Sequence, residues 1–138
     1  MKLTSIFTLL FALLVWAGCG DKDEREGGEE DPPVLESVTP FSYDRGKNVY
    51  TVNIDSNGGE YVFNAPKNTI LSIGYIHRND TWFQNDDRYS FQNEYLSAKL
   101  EGHEVTISIA PNLTDKSVTY NIHVYGLNSY TRIVFIQQ

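Results

Sequence analysis

Two alternating stretches decide the fold, Glu104-Val105-Thr106-Ile107-Ser108-Ile109 and Val118-Thr119-Tyr120-Asn121-Ile122-His123-Val124-Tyr125. In both, an apolar side chain occupies every second position. Because successive side chains of a β-strand point to opposite faces of the sheet, this pattern predicts two half-buried strands. The residues expected to face the core are Val105, Ile107, Ile109, Tyr120, Ile122 and Val124.

Similar runs occur along the rest of the chain, separated by turn residues such as the Asp-Ser-Asn-Gly-Gly of 55–59. The run 130–136 is apolar on both faces near its end, which predicts a central or doubly covered strand. The other sets expected to share a face are Tyr50, Val52 and Ile54; Tyr61 and Phe63; Leu71, Ile73 and Tyr75; and Leu96, Ala98 and Leu100.

About seven short strands with no crossover helix after residue 32 predict an all-β, antiparallel sandwich. A small closed barrel of the oligonucleotide-binding type is the alternative, but the net charge of −7 disfavours nucleic-acid ligands. Residues 34–138 have the length of one ordinary domain. We therefore expect a single folded domain in this region.

The first residues have the composition of a cleaved export signal. Lys2 supplies a positive start, residues 6–15 an apolar run, and Val15-Trp16-Ala17-Gly18-Cys19 a site with small residues before the chain's single cysteine. This site resembles the lipobox of bacterial lipoproteins, which implies a signal peptide over 1–18 and lipidation of Cys19. A transmembrane helix is the alternative, although the run is shorter than the roughly 20 residues that a bilayer requires.

Residues 19–33 predict an acidic tether. Positions 21–31 alone carry a net charge of −5, and no aromatic or aliphatic residue occurs from Gly20 to Asp31, so this stretch lacks the apolar surface needed for folding. Lys22-Asp23-Glu24 resembles the acidic surface-export signals of lipoproteins in Bacteroidota. We expect an outer membrane lipoprotein, anchored through its lipid and either exposed at the cell surface or facing the periplasm.

The remaining sequence resembles BACON domains, the Bacteroidetes-associated carbohydrate-binding, often N-terminal modules. The resemblance covers residues 48–138 and rests on the runs 56–68, 104–112 and 133–138, with Gly58, Gly59, Asn68, Asn112 and a terminal Gln. Leu71 and Tyr95 stand where that family typically has Trp, and Val118 stands where it has Arg. The resemblance implies an immunoglobulin-like sandwich and, less directly, a glycan ligand.

Residues 78–89 combine aromatic and planar polar side chains outside the alternating pattern. Sugar sites need this mixture, because rings stack on the apolar faces of pyranoses while amide, carboxylate and guanidinium groups bind hydroxyls. Alternatively, the segment is a hairpin tip whose Trp82 and Phe83 fold back over the sheet. The predicted ligand-binding residues are Asn79, Asp80, Trp82, Phe83, Asn85, Asp86, Arg88 and Tyr89.

Other chemistries lack support in the sequence. No calcium-loop pattern, histidine pair with metal-ligand spacing, serine elbow or phosphate loop occurs, so we expect no enzyme activity, no metal and no cofactor. Two functions remain open. One is a binding module for polysaccharide or host glycoprotein glycans, and the other is a structural or adaptor domain that contacts a protein partner.

Overall fold

The computed structural model describes residues 32–66, 70 and 72–138. The predicted signal peptide, Cys19, residues 20–31 of the tether, Asn68 and Leu71 lie outside the described residues. Seven of the strands in the described part have six or more residues, and three have three residues. The strands are β1 (Ser42–Asp44), β2 (Val49–Ile54), β3 (Gly59–Asn64), β4 (Ser72–Arg78), β5 (Thr81–Phe83), β6 (Ser90–Gln92), β7 (Leu96–Glu101), β8 (Glu104–Ile109), β9 (Val118–Tyr125) and β10 (Tyr130–Gln137).

The strands form two sheets, which pack as an immunoglobulin-like β-sandwich and confirm the predicted fold class. The six-stranded sheet has the order β1-β2-β10-β9-β4-β5, and the four-stranded sheet has the order β3-β8-β7-β6. One pairing departs from the expected antiparallel pattern, because β2 and β10 run parallel. The run 130–136 lies in β10, which pairs with strands on both sides as predicted for a central strand.

The core lies between the sheets and uses the alternate residues of each strand. Phe63 of β3 and Phe135 of β10 meet across it with ring centroids 6.1 Å apart. Packing begins before β1, since Leu35 is buried and its N–H donates to Tyr50 Oη at 3.0 Å. The six residues predicted to face inward are all buried: Val105, Ile107, Ile109, Tyr120, Ile122 and Val124.

A β-bulge in β4 overturns one predicted face. Ile73 pairs with Val124 and Ile76 with Ile122, so Gly74 and Tyr75 together oppose the single residue His123. The extra residue turns the strand, which places Ile73 and Ile76 in the core and Tyr75 on the outer face. The prediction that Tyr75 shares the inward face of Ile73 is therefore wrong.

Gln137 ties the ends of the two sheets together at the end of β10. Its side chain is fully buried, and its Nε2 donates to Ala110 O at 3.0 Å and to Ser56 O at 3.4 Å. Nearby, Gly58 has a φ of 71° and lies so close to Ile109 O that a Cβ would overlap that atom.

Among the described residues, no helix could span a membrane.

The two faces of β8 give a direct test of the packing. Ile107→Ala should lower the free energy of unfolding by about 2 to 5 kcal/mol, because it leaves a cavity at a fully buried site. Thr106→Ala, on the outer face of the same strand, should lower it by about 1 kcal/mol or less. Chemical denaturation of both variants measures the difference, and equal losses would contradict the assigned faces.

Candidate functional site on an aromatic sheet face

Trp82 lies on the solvent-facing side of the edge strand β5, with 58% of its surface exposed. Its neighbour Phe83 points the opposite way and packs against the core, with ring centroids 5.8 Å from Phe91 and 6.2 Å from Tyr95. The fold-back interpretation therefore holds for Phe83 and not for Trp82. The strand geometry separates the two rings, because adjacent residues of a strand point to opposite faces.

Trp82 belongs to a continuous set of six rings on the outer face of the six-stranded sheet. Its centroid lies 3.8 Å from that of His77 and 4.9 Å from that of Tyr75. His123 continues the set, 5.8 Å from His77 and stacked on Tyr130 at 5.4 Å with an interplanar angle of 6°. We call this set the aromatic face; its members are Tyr75, His77, Trp82, His123, Tyr125 and Tyr130.

Gly74 lets the Tyr125 ring lie flat against β4. A Cβ at this glycine would meet Tyr125 Cε2 at 1.9 Å, so any other residue would displace the ring. Glycine inside a strand commonly marks a bulge or a close approach, and Gly74 is both. The bulge that turns Tyr75 outward thus also makes room for Tyr125.

A groove of about 660 Å³ runs beside Trp82 and Tyr75, within the usual volume range of small-molecule sites. Ring faces supply apolar surface, and the amides of Gln84 and Asn85 supply hydrogen-bonding groups at one side. The groove is lined by Ser72, Ile73, Gly74, Tyr75, Trp82, Phe83, Gln84, Asn85 and Tyr125.

The two amides are held by neighbouring groups. Asn85 Nδ2 donates to Ile73 O at 3.3 Å, and its Oδ1 accepts the N–H of Asp87 at 3.3 Å. Gln84 Nε2 donates to Asp86 Oδ1 at 3.0 Å. The predicted residues Asn85 and Asp86 therefore order the loop after β5, and Asn85 also lines the groove.

The other predicted residues lie around the hairpin and its following loop. Asn79 adopts a φ of 51° in the β4–β5 turn, and its Oδ1 accepts the N–H of Thr119 at 3.0 Å, so it fixes the turn to β9. Asp80 is exposed beside it. Arg88 and Tyr89 are exposed further along, outside the residues that line the groove.

The two histidines of the aromatic face have lowered pKa values. Burial lowers the pKa of His77, and burial together with electrostatic repulsion from the charged forms of His77 and Arg132 lowers the pKa of His123 to about 4. His123 Nδ1 is buried without a hydrogen-bond partner, which agrees with an uncharged ring. The described residues contain no group of three His, Cys, Asp or Glu that could hold a metal ion.

The sequence reasoning missed five of the six rings of the aromatic face. The available signal was the polar side of the alternating runs, where Tyr-x-His at 75–77 and His-x-Tyr at 123–125 place rings at solvent-facing positions. These rings can be recognised as one site only when β4 and β9 are known to be neighbours, because the pairing of these strands brings together residues that are distant in sequence. Trp82 was identified because it lies outside the alternation.

Solved structures similar to this one include two that cover most of its length. One is described as an NMR structure of a protein from Bacteroides thetaiotaomicron, with a TM-score of 0.65, 18% identity and coverage of 81% of this chain and 91% of that chain. The other is titin M4, with a TM-score of 0.44, 9% identity and coverage of 79% and 98%. No protein-family profile and no curated protein matches the chain. The likeness to the Bacteroides protein shows a shared fold.

The lowered pKa of His123 makes stability depend on pH. Between about pH 6.5 and pH 4 the unfolded chain binds a proton at this residue and the native chain does not, so the free energy of unfolding should fall as the pH falls. His123→Gln, which does not titrate, should show a shallower fall. Denaturant melts from pH 7 to pH 4 measure this.

The control is Thr119→Ala, which changes a side chain on the outer face of β9 that does not titrate and should leave the wild-type pH dependence unchanged. If His123→Gln and the parent protein lose stability in parallel over this range, His123 is not held neutral by the fold.

Proposed function

We propose that this protein is a non-catalytic, lipid-anchored binding module of the bacterial outer membrane, whose ligand is polysaccharide or the glycan of a host glycoprotein. The observation that carries the proposal is the exposed Trp82 ring beside a groove with polar groups at its edge. A tryptophan of the core would instead support a purely structural domain. The absence of catalysis is part of the proposal, because the fold alone does not determine activity.

The aromatic face has the chemistry that a sugar requires. Trp82, Tyr75 and Tyr125 present ring faces and edges to the apolar C–H faces of pyranoses, and Gln84 and Asn85 can exchange hydrogen bonds with hydroxyls. The rings are already in contact with one another and with Gly74, so binding would order few additional side chains.

A second function is supported by the same residues. Exposed Trp and Tyr are also enriched at protein interfaces, and Tyr75 and Tyr130 are each about half exposed, at 53% and 48%. An adaptor domain that binds a protein partner through the aromatic face is therefore the alternative function. The two functions differ in whether a free saccharide binds.

Trp82→Ala distinguishes these functions from a structural role. It should abolish saccharide binding on a glycan array while lowering the free energy of unfolding by only about 1 kcal/mol, because the ring is more than half exposed and loses contacts mainly with His77 and Tyr75. One binding titration and one thermal melt measure both quantities.

The matched control is Leu113→Ala, which removes an exposed apolar side chain outside the aromatic face and should affect neither quantity. Saccharide binding that survives Trp82→Ala would place the glycan site elsewhere. If the parent protein binds no glycan and Trp82→Ala abolishes capture of a protein partner, the adaptor function is supported.

The lipid anchor is tested separately at Cys19. Each buried acyl methylene contributes about 0.8 kcal/mol, so a diacylated or triacylated Cys19 should hold the protein on membranes through repeated washing. Cys19→Ser should release it to the soluble fraction. If the Ser variant remains membrane-bound after detergent-free washing, the anchor is not a lipid at this residue.

A further inference from the structure

Three of the four acidic residues in the described strands lie on the outer face opposite the rings. The outer face of the four-stranded sheet carries Glu60, Glu101 and Glu104, with Lys99 as a cation. These residues share one face because Glu101 pairs with Glu104, Lys99 with Thr106, and Glu60 with Ser108. On the outer face of β10, β9, β4 and β5, by contrast, no residue is acidic and Arg132 is the basic side chain.

Arg132 lies beside the aromatic face without an acidic partner. It stands directly opposite His123 in the β9–β10 register, so their Cβ atoms are neighbours on one face. Its backbone N–H donates to Asn48 O at 3.0 Å, but its guanidinium forms no ion pair within the described residues, where the ion pair present is Lys99–Glu101 on the other sheet. A guanidinium fork is thus left for an external anion.

The side chains that contact His123 are aromatic, and none of them is acidic. Tyr75 and His77 of β4, Tyr125 of β9 and Tyr130 of β10 contact His123. On the β2 side, Val49 separates Arg132 from Asp44, whose carboxylate accepts the N–H of Lys47 at 3.2 Å. In a chain of net charge −7, the strands β2, β10, β9, β4 and β5 carry no acidic residue.

We propose that the ligand of the aromatic face is an acidic glycan, whose anionic group binds Arg132 beside His123 while its neutral rings stack toward Trp82. This inference rests on the proposed function and specifies its substrate class. The charges at the two ends of the face fix the direction of the bound chain, because Asp80 lies in the β4–β5 turn and Asp86 and Asp87 lie in the loop after β5, at the Trp82 end. A carboxylate or a sulfate would satisfy Arg132, since both accept paired N–H bonds.

The experiment compares matched acidic and neutral polymers on the purified full chain. Polygalacturonate and its fully methyl-esterified form test the carboxylate, and dextran sulfate and dextran test the sulfate, by affinity electrophoresis at several NaCl concentrations. At least one acidic polymer should bind about tenfold or more tightly than its neutral counterpart, and its affinity should fall as salt rises.

Three variants assign this preference to Arg132. Arg132→Gln should weaken binding of the acidic polymer about tenfold, whereas Arg132→Lys should retain part of it because the charge remains. Lys116→Gln, which removes an exposed cation from the β8–β9 loop, should bind like the parent. Thermal melts check that each variant is folded. If Arg132→Gln unfolds, the affinity of Arg132→Lys and the salt dependence of binding test the role of Arg132 instead.

The outcomes separate this inference from the proposed function. Trp82-dependent binding of the neutral polymers with equal affinity, or an Arg132→Gln variant that binds the acidic polymer normally, would overturn the acidic ligand and leave the glycan module standing. If Lys116→Gln weakens binding of the acidic polymer as much as Arg132→Gln does, the attraction is nonspecific. That result would also overturn the acidic ligand. If neither these polymers nor the glycans of an array bind, the glycan-binding function itself fails.

Discussion

The candidate site depends on one irregularity of backbone pairing, the bulge that sets Gly74 and Tyr75 against His123. Regular pairing would keep strict alternation through β4 and point Tyr75 into the core beside Ile73. The additional residue instead keeps Ile73 and Ile76 buried and sends Tyr75 outward to meet Trp82. The core and the aromatic face therefore share the same strand, and neither can change register without the other.

The residues that face the core could be predicted from the sequence, because burial of one face of a strand produces a local alternating pattern. The six residues of β8 and β9 that alternation predicts to face inward are all buried, since burial on one face forces a period of two. The prediction for Tyr75 is wrong because a bulge breaks that period of two. Nothing in the sequence except Gly74 indicates a bulge. The parallel pairing of β2 with β10 was missed for a similar reason, because strand order depends on contacts between distant parts of the chain.

The residues on the outer face of the six-stranded sheet could be predicted only in part. Trp82 was identified because it lies outside the alternating runs, whereas His77, His123, Tyr125 and Tyr130 occupy the polar positions of regular strands. Such residues look like ordinary solvent-facing side chains until the order β10-β9-β4-β5 brings them into one set. Asn79 and Asp86, which the sequence predicts as ligand contacts, also hold the turn and the loop in place.

Several locally unfavourable features of the described chain lie on this face. Gly74 forgoes a side chain in a strand, His123 keeps a buried nitrogen without a hydrogen bond, Arg132 lacks an acidic partner, and Trp82 exposes a large apolar ring. Each lowers stability or solubility by itself. The packing of the core, where Phe63 and Phe135 meet, must offset the combined loss of stability. Proteins retain such features where function requires them. Their coincidence on one sheet face, opposite a face that is acidic and free of rings, argues for a ligand at this position rather than for a general surface preference.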